Sequence, residues 1–175
     1  MSERNWPDGL SPPHLEGPTP VRRHASPVSF VLLGSLLLAA LFGAFGGGAP
    51  PTLQTRGEGA DLAITGPQLL RNGEFFETHV AMTPRADAAD LTLALDAPLL
   101  RDLTQNSMIP AASEEGFEDG AFRFRYGPVK AGETIEVKMD FQINPALLGG
   151  TRGDVAVYDG TRELARLPYR IEVRP

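Results

Sequence analysis

The sequence predicts an all-β exported domain, a two-layer antiparallel β-sandwich of about seven to eight strands over residues 60–175, behind one transmembrane helix over residues 27–49. Three observations predict this. After residue 60, apolar and polar residues alternate with period two again and again, as a sheet with one buried face requires. Glycine-containing turn signals separate these runs, and no convincing helical pattern lies among them. Between Ala25 and Thr55 there is no charged side chain at all.

Within that uncharged window, Val28 to Ala49 is almost purely apolar or small, and a helix of this length covers roughly 30 Å of hydrocarbon. Arg22 and Arg23 precede it, while the first charge after it is Arg56, soon followed by Glu58 and Asp61. The positive-inside rule then places the N-terminus in the cytoplasm and the C-terminal domain outside, giving a single-pass signal-anchor in the inner membrane with a periplasmic domain. A cleaved signal peptide is the competing reading, with Gly46 and Gly48 as peptidase-compatible residues behind a twin arginine. Against it stand the long preceding tail, an apolar run longer than an ordinary signal core, and Pro50-Pro51 at the cleavage point. His24-Ala25-Ser26-Pro27 also lacks the apolar pair of a twin-arginine export signal.

Residues 1–26 read as a disordered cytoplasmic tail, rich in proline (Pro7, Pro12, Pro13, Pro18, Pro20) and without period. Trp6, the one tryptophan, is given no role there. Inside the helix, Ser35, Ala39, Gly43 and Gly47 recur every four residues and form a candidate packing ridge for a second membrane helix, from a partner or from another copy of the chain. Residues 50–59 read as a Gly/Pro-rich stalk.

The clearest strand runs from Thr134 to Asn144, with Ile135, Val137, Met139, Phe141 and Ile143 on one face and Glu136, Lys138, Asp140 and Gln142 on the other. The same alternation gives Leu91, Leu93 and Leu95; Phe122, Phe124 and Tyr126; Val155 and Val157; and Leu167, Tyr169, Ile171 and Val173. Leu62 with Ile64, and Phe76 with Val80 and Met82, add two more. Asp159-Gly160 is the strongest hairpin signal. Pro168 within the last strand predicts an edge position or a bulge.

The segment Gly127-Pro128-Val129-Lys130-Ala131-Gly132-Glu133-Thr134, continuing through the alternating strand to Asn144-Pro145, resembles the loop-and-strand stretch of bacterial immunoglobulin-like adhesion and accessory domains. The resemblance covers about a third of the domain and implies an immunoglobulin-like fold, with no activity attached. Tail, single helix and exported sandwich together also resemble the layout of copper-delivery assembly proteins of respiratory oxidases. Those proteins carry paired cysteines, and this chain has none, so that function does not carry over.

Composition removes several chemistries. The chain has 175 residues, 22 acidic against 16 basic side chains, a net charge of −6, and no cysteine. Nucleic-acid coating, disulfide scaffolds, thiolate metal sites and thiol nucleophiles are set aside. No phosphate-cradling glycine motif or serine-nucleophile elbow is present. His79 is the one histidine of the exported domain, and a soft-metal set of His79, Met82, Met108 and Met139 is disfavoured because Met82 and Met139 fall on core faces. Glu114, Glu115, Glu118 and Asp119 lack calcium-loop spacing. Arg152-Gly153-Asp154 reads as a turn. No cofactor, metal or catalytic residue is therefore assigned.

Asp102 to Glu118 escapes the alternation and reads as a long loop, with Gln105, Asn106, Met108, Ile109, Glu114, Glu115 and Phe117 as candidate partner-contacting residues; an extra edge strand is the competing reading. The function expected is a non-catalytic, membrane-anchored accessory or interaction protein, its partners being the lipid bilayer and an integral membrane or envelope protein. The alternative is a ligand-binding module, for instance for envelope glycans, with only Phe75, Phe117 or Tyr158 free as aromatic platform. An enzyme using His79 is the third reading.

Overall fold

The computed structural model describes residues 20–44 and 49–174, with side chains from residue 27 onward. The tail reading up to residue 19, and Gly47 of the ridge, lie outside these. The chain divides into two units at Gly48 and Ala49.

Among the described residues, the first unit holds one helix, α1 (Pro20–Leu41). It begins at Pro20, inside the expected tail rather than at residue 27, and ends at Leu41, short of the expected residue 49. Gly43 takes φ 75°, its N–H donates to the Ala40 carbonyl at 3.0 Å, and the Ala44 N–H reaches back to Ala39 at 2.9 Å. These two bonds satisfy carbonyls that a helix end leaves open, a Schellman termination in which glycine accepts the left-handed conformation at little steric cost. Gly43 is thus the cap of α1, while Ser35 and Ala39 lie within the helix. The apolar part, Val28 to Leu41, rises about 21 Å at about 1.5 Å per residue, against about 30 Å of hydrocarbon. Among the described residues, no helix is long and apolar enough to cross a membrane.

The second unit is a sandwich of two sheets with eleven strands in all: β1 (Thr52–Arg56), β2 (Ala60–Thr65), β3 (Leu69–Arg71), β4 (Phe75–Pro84), β5 (Ala88–Asp96), β6 (Leu103–Ile109), β7 (Glu114–Glu118), β8 (Ala121–Val129), β9 (Ile135–Ile143), β10 (Thr151–Asp159) and β11 (Arg162–Arg174). One sheet has the order β1-β2-β4-β9-β6 and the other β3-β11-β10-β5-β8-β7. Every pairing is antiparallel except the short β3–β11 contact. The core is the seam between the sheets, where Leu62, Val80, Met82, Val137 and Met139 of the first share one buried cluster with Leu91, Leu93, Phe124, Val155 and Val157 of the second.

The predicted alternation is observed on β2, β4 and β9, and the Asp159 hairpin closes with Asp159 opposite Arg162. Its carboxylate also accepts the Ala89 and Asp90 N–H groups at 2.9 and 3.0 Å, fixing the start of β5. Pro168 pairs with Asp154 on one side, while β3 joins β11 only from Glu172 onward, so the proline occupies a locally open edge.

Four strands depart from the sequence expectation. β1 falls inside the expected stalk, and its partly buried Leu53 packs on the core. β3, β6 and β7 were not foreshadowed by alternation, because edge strands leave one or both faces in water and need few apolar residues. β7 is exposed at every position. The segment Arg152-Gly153-Asp154 is strand β10 rather than a turn. Phe122 is also corrected: it is 37% exposed, while Phe124 of the same run is buried.

The β1–β2 link lies against β11. The Gly59 N–H donates to the Leu164 carbonyl at 3.0 Å, and a Cβ on Gly57 would sit 2.3 Å from that same oxygen. Gly57→Ala is therefore expected to cost about 1–3 kcal/mol in urea unfolding, since backbone must shift to admit the methyl group. Gly116→Ala, with open space around its Cβ, is expected to stay within about 0.5 kcal/mol.

Candidate functional site

The expected Asp102–Glu118 loop is resolved into two open sheet edges. β6 closes the five-stranded sheet and β7 the six-stranded one, with only residues 110–113 carrying the chain between them. The candidate residues are therefore split. Gln105, Asn106, Met108 and Ile109 lie on β6; Glu114, Glu115 and Phe117 lie on β7.

On β7 these side chains are engaged locally. Arg125 donates to Glu114 at 3.0 Å, and Phe117 packs edge-to-face on Phe122 with centroids 5.0 Å apart. Burial, aided by the nearby Glu115 charge, pushes the Tyr126 hydroxyl up to about 12. That hydroxyl donates to the Met108 sulfur at 3.3 Å, which turns Met108 inward as packing.

β6 offers more. Its register against β9 slips between Gln105 and Ser107, so Asn106 is the extra residue of a bulge, a feature that bends an edge and re-aims its side chain. Asn106 lines a shallow cleft of about 480 Å³ together with Phe75, Glu77, Asp140 and Phe141. Phe75 is 67% exposed, and Ile109 farther along β6 is 60% exposed. Ser107 donates to Asp140 on the neighbouring strand. Sequence reasoning paired neither Phe75 nor Asp140 with Asn106, because the bulge that joins them has no signature in residue type.

The outer face of the same sheet carries a charged network. Registration places His79 beside Lys138, and Lys138 beside Ile109. Glu77 binds both His79 Nε2 and Lys138 Nζ, and Glu136 lies 3.1 Å from His79 Nδ1. Lys138, then His79, holds the Glu77 carboxyl below its ordinary range. Glu77 raises the His79 imidazole; burial opposes it, and Glu136 adds a smaller contribution to the rise. Both ring nitrogens thus face carboxylates, an arrangement that stabilises the imidazolium and leaves neither nitrogen aimed at a serine. His79 points outward, whereas Met82 and Met139 are buried in the seam, so the soft-metal set does not converge. Tyr158 is also not free: the Arg123 guanidinium covers its ring at 4.4 Å, and its hydroxyl donates to Glu163 at 3.0 Å.

No protein-family model matches the sequence, and no curated protein does. Solved structures of similar shape exist. A chitin-binding domain of a chitinase from Pyrococcus furiosus aligns at 13% identity and TM-score 0.40, over 65% of this chain and 100% of that one. A CARDB domain from Pyrococcus furiosus, in complex with di-metal ions, aligns at 17% identity and TM-score 0.38, over 69% and 93%. A non-cellulosomal cohesin from Archaeoglobus fulgidus aligns at 13% identity and TM-score 0.36, over 59% and 84%.

The His79 network predicts a pH signature. A histidine raised in the folded state contributes stability that is fully present below its unfolded value of 6.5 and is lost as pH rises through the folded value. A lowered Glu77 contributes above its unfolded value of 4.5 and is lost on acidification. Both contributions coexist between pH 4.5 and 6.5. The His79 ring resonances, followed by NMR, are expected to titrate above 6.5 in the wild type and lower in Glu77→Gln.

Proposed function

We propose that the chain is a membrane-held, non-catalytic interaction protein whose sandwich docks on an extracytoplasmic membrane or envelope protein. The observation that carries this reading is the surface of α1. Phe30, Val31, Leu32 and Leu33 are successive residues, each 62–76% exposed, and steps of about 100° turn them in four directions. A helix apolar all round has no water-facing side and is suited to lipid or to other apolar helices. The uncharged sequence continues past α1 to Thr55, and Arg22 and Arg23 supply the cytoplasmic positive charge.

For docking, the β6 edge supports the reading best. It combines unpaired strand backbone, a bulge at Asn106 and the exposed Ile109, and on the same outer face, two strands in on β4, lies the exposed Phe75, which gives an apolar surface beside the edge. The shallow cleft beside Phe75 favours a second reading, a sugar ligand stacked on the ring with Asn106, Glu77 and Asp140 at its hydroxyls.

Wild-type protein is expected to stay with native membranes through an alkaline carbonate wash. Leu33→Arg/Leu37→Arg is expected to be released, since each arginine costs about 3 kcal/mol at a helix centre in lipid. Release of the wild type would remove the membrane part of the reading. After mild solubilisation, Phe75→Ala/Ile109→Ser is expected to lose a co-purifying partner at least about tenfold with an unchanged thermal midpoint; a partner retained in full would move docking off this edge. Thermal shifts of the wild type with cell-wall fragments, abolished by Phe75→Ala, would select the sugar reading instead.

A further inference from the structure

Away from β6, Arg101, Arg152 and Arg170 line one cleft of about 370 Å³ with Gly149, Gly150 and Thr151, and no lining residue is acidic. Arg152 and Arg170 stand directly opposite each other on β10 and β11, a placement in which like charges repel and destabilise the pair. Among the described residues, neither is held in an ion pair. Arg101 has only Asp102, at 3.7 Å from its Nε, beyond hydrogen-bond reach, which leaves both terminal nitrogens free. The nearest carboxylates along β10 and β11 serve other arginines: Asp154 binds Arg166 at 3.1 Å and Glu172 binds Arg174 at 3.4 Å.

Arg85, Arg123, Arg125 and Arg166 each have a carboxylate partner, whereas Arg152 and Arg170 face one another across a strand pair with none. In a chain of net charge −6, the cleft gathers three arginines against one neighbouring carboxylate, Asp102, which lies beyond hydrogen-bond reach of Arg101 Nε, and this excess of positive charge favours an external anion. Thr151 is buried and anchored, its hydroxyl donating to the carbonyls of Pro98 and Leu99, so the cleft wall is fixed by the fold. Gly150 sits at φ 101°, and a Cβ there would meet the Ile171 carbonyl oxygen at 2.0 Å, so this wall must be bare backbone. The Gly149 and Gly150 N–H groups have no acceptor among the described residues, and unpaired amides beside guanidinium groups are donors for an oxyanion.

We propose that this cleft is an anion site for a phosphate group, presented either by an anionic lipid headgroup or by a soluble phosphate. Arginine forks match tetrahedral oxyanions in bidentate geometry, and the glycine amides complete the donor set.

The test uses full-length protein in a neutral detergent, titrated separately with inorganic phosphate and with short-chain phosphatidylglycerol, short-chain phosphatidylcholine serving as the zwitterionic control. Backbone amide shifts or calorimetry read saturation. Saturable binding of either anionic probe is expected, weakened at least about tenfold in Arg152→Gln/Arg170→Gln and unaltered in Arg162→Gln. Saturation by phosphate alone assigns a soluble ligand; saturation by phosphatidylglycerol alone assigns a headgroup. Because the substitution relieves a like-charge pair, the thermal midpoint of the double variant is expected to hold or rise, which separates lost binding from lost folding. Absence of saturation by both probes, or equal binding by the double variant, overturns the proposal.

Discussion

Both sheets must close on one apolar seam, and nearly every other feature of the sandwich depends on that constraint. β5 shows it most directly. Leu91, Leu93 and Leu95 face the seam, while Thr92 and Ala94 on the opposite face are also buried, so this strand is covered on both sides. The outer covering is light: Ala94, Ala121 and Ala156 form a small cluster with Tyr158 packed against it, and Arg123 lies over that ring. Small residues let a guanidinium and a phenol lie close to the sheet. A shift of one residue would send the leucines outward and the alanines inward, so the seam fixes register for the neighbouring strands too.

Register in turn decides where charge can go. Once Val80 and Val137 are committed inward, the intervening positions His79, Lys138 and Glu136 must emerge together on the outer face. The Glu77–His79–Lys138 network is thus a consequence of strand pairing as much as of residue choice. These groups are exposed or half-exposed, so water screens their attraction and they add little to the stability of the sandwich. Their effect is on the character of the face, which is polar and pH-responsive, with Phe75 of β4 on it and the β6 edge with Ile109 beside it.

The inward faces of β4, β5 and β9, and the hairpin at Asp159, were legible in the sequence, because burial of one face imposes period two and a tight reversal selects glycine. The edges were not. β7, Glu-Glu-Gly-Phe-Glu, buries nothing, and its strand identity comes from backbone pairing with β8, which leaves no mark in side-chain pattern. For the same reason Asn106 was recognisable as an unusual residue in an irregular stretch, but its meeting with Phe75 and Asp140 depends on a bulge. Phe122 misled in the opposite sense: it keeps period with Phe124, yet it lies near the end of β8, where β7 offers Phe117 rather than the seam. The arginine cleft was hidden more deeply. Arg101, Arg152 and Arg170 are far apart in the chain, and only the β10–β11 pairing and the Gly149–Gly150 approach bring them together.

An open β6 edge poses a problem of its own, since unpaired strand backbone invites association with any other open edge. The bulge at Asn106 and the Ser107–Asp140 bond interrupt the flat ladder that such pairing needs. What remains is short, with Ile109 exposed on the edge and Phe75 two strands in on the same face, and an interface of that extent falls toward the weak, transient class. On the proposed reading, membrane attachment resolves the mismatch between a small interface and a specific partner. Confinement to one bilayer raises the local concentration of each protein for the other, so a contact too weak in solution suffices in the membrane. The edge can then stay guarded against soluble strands while still engaging a partner held beside it.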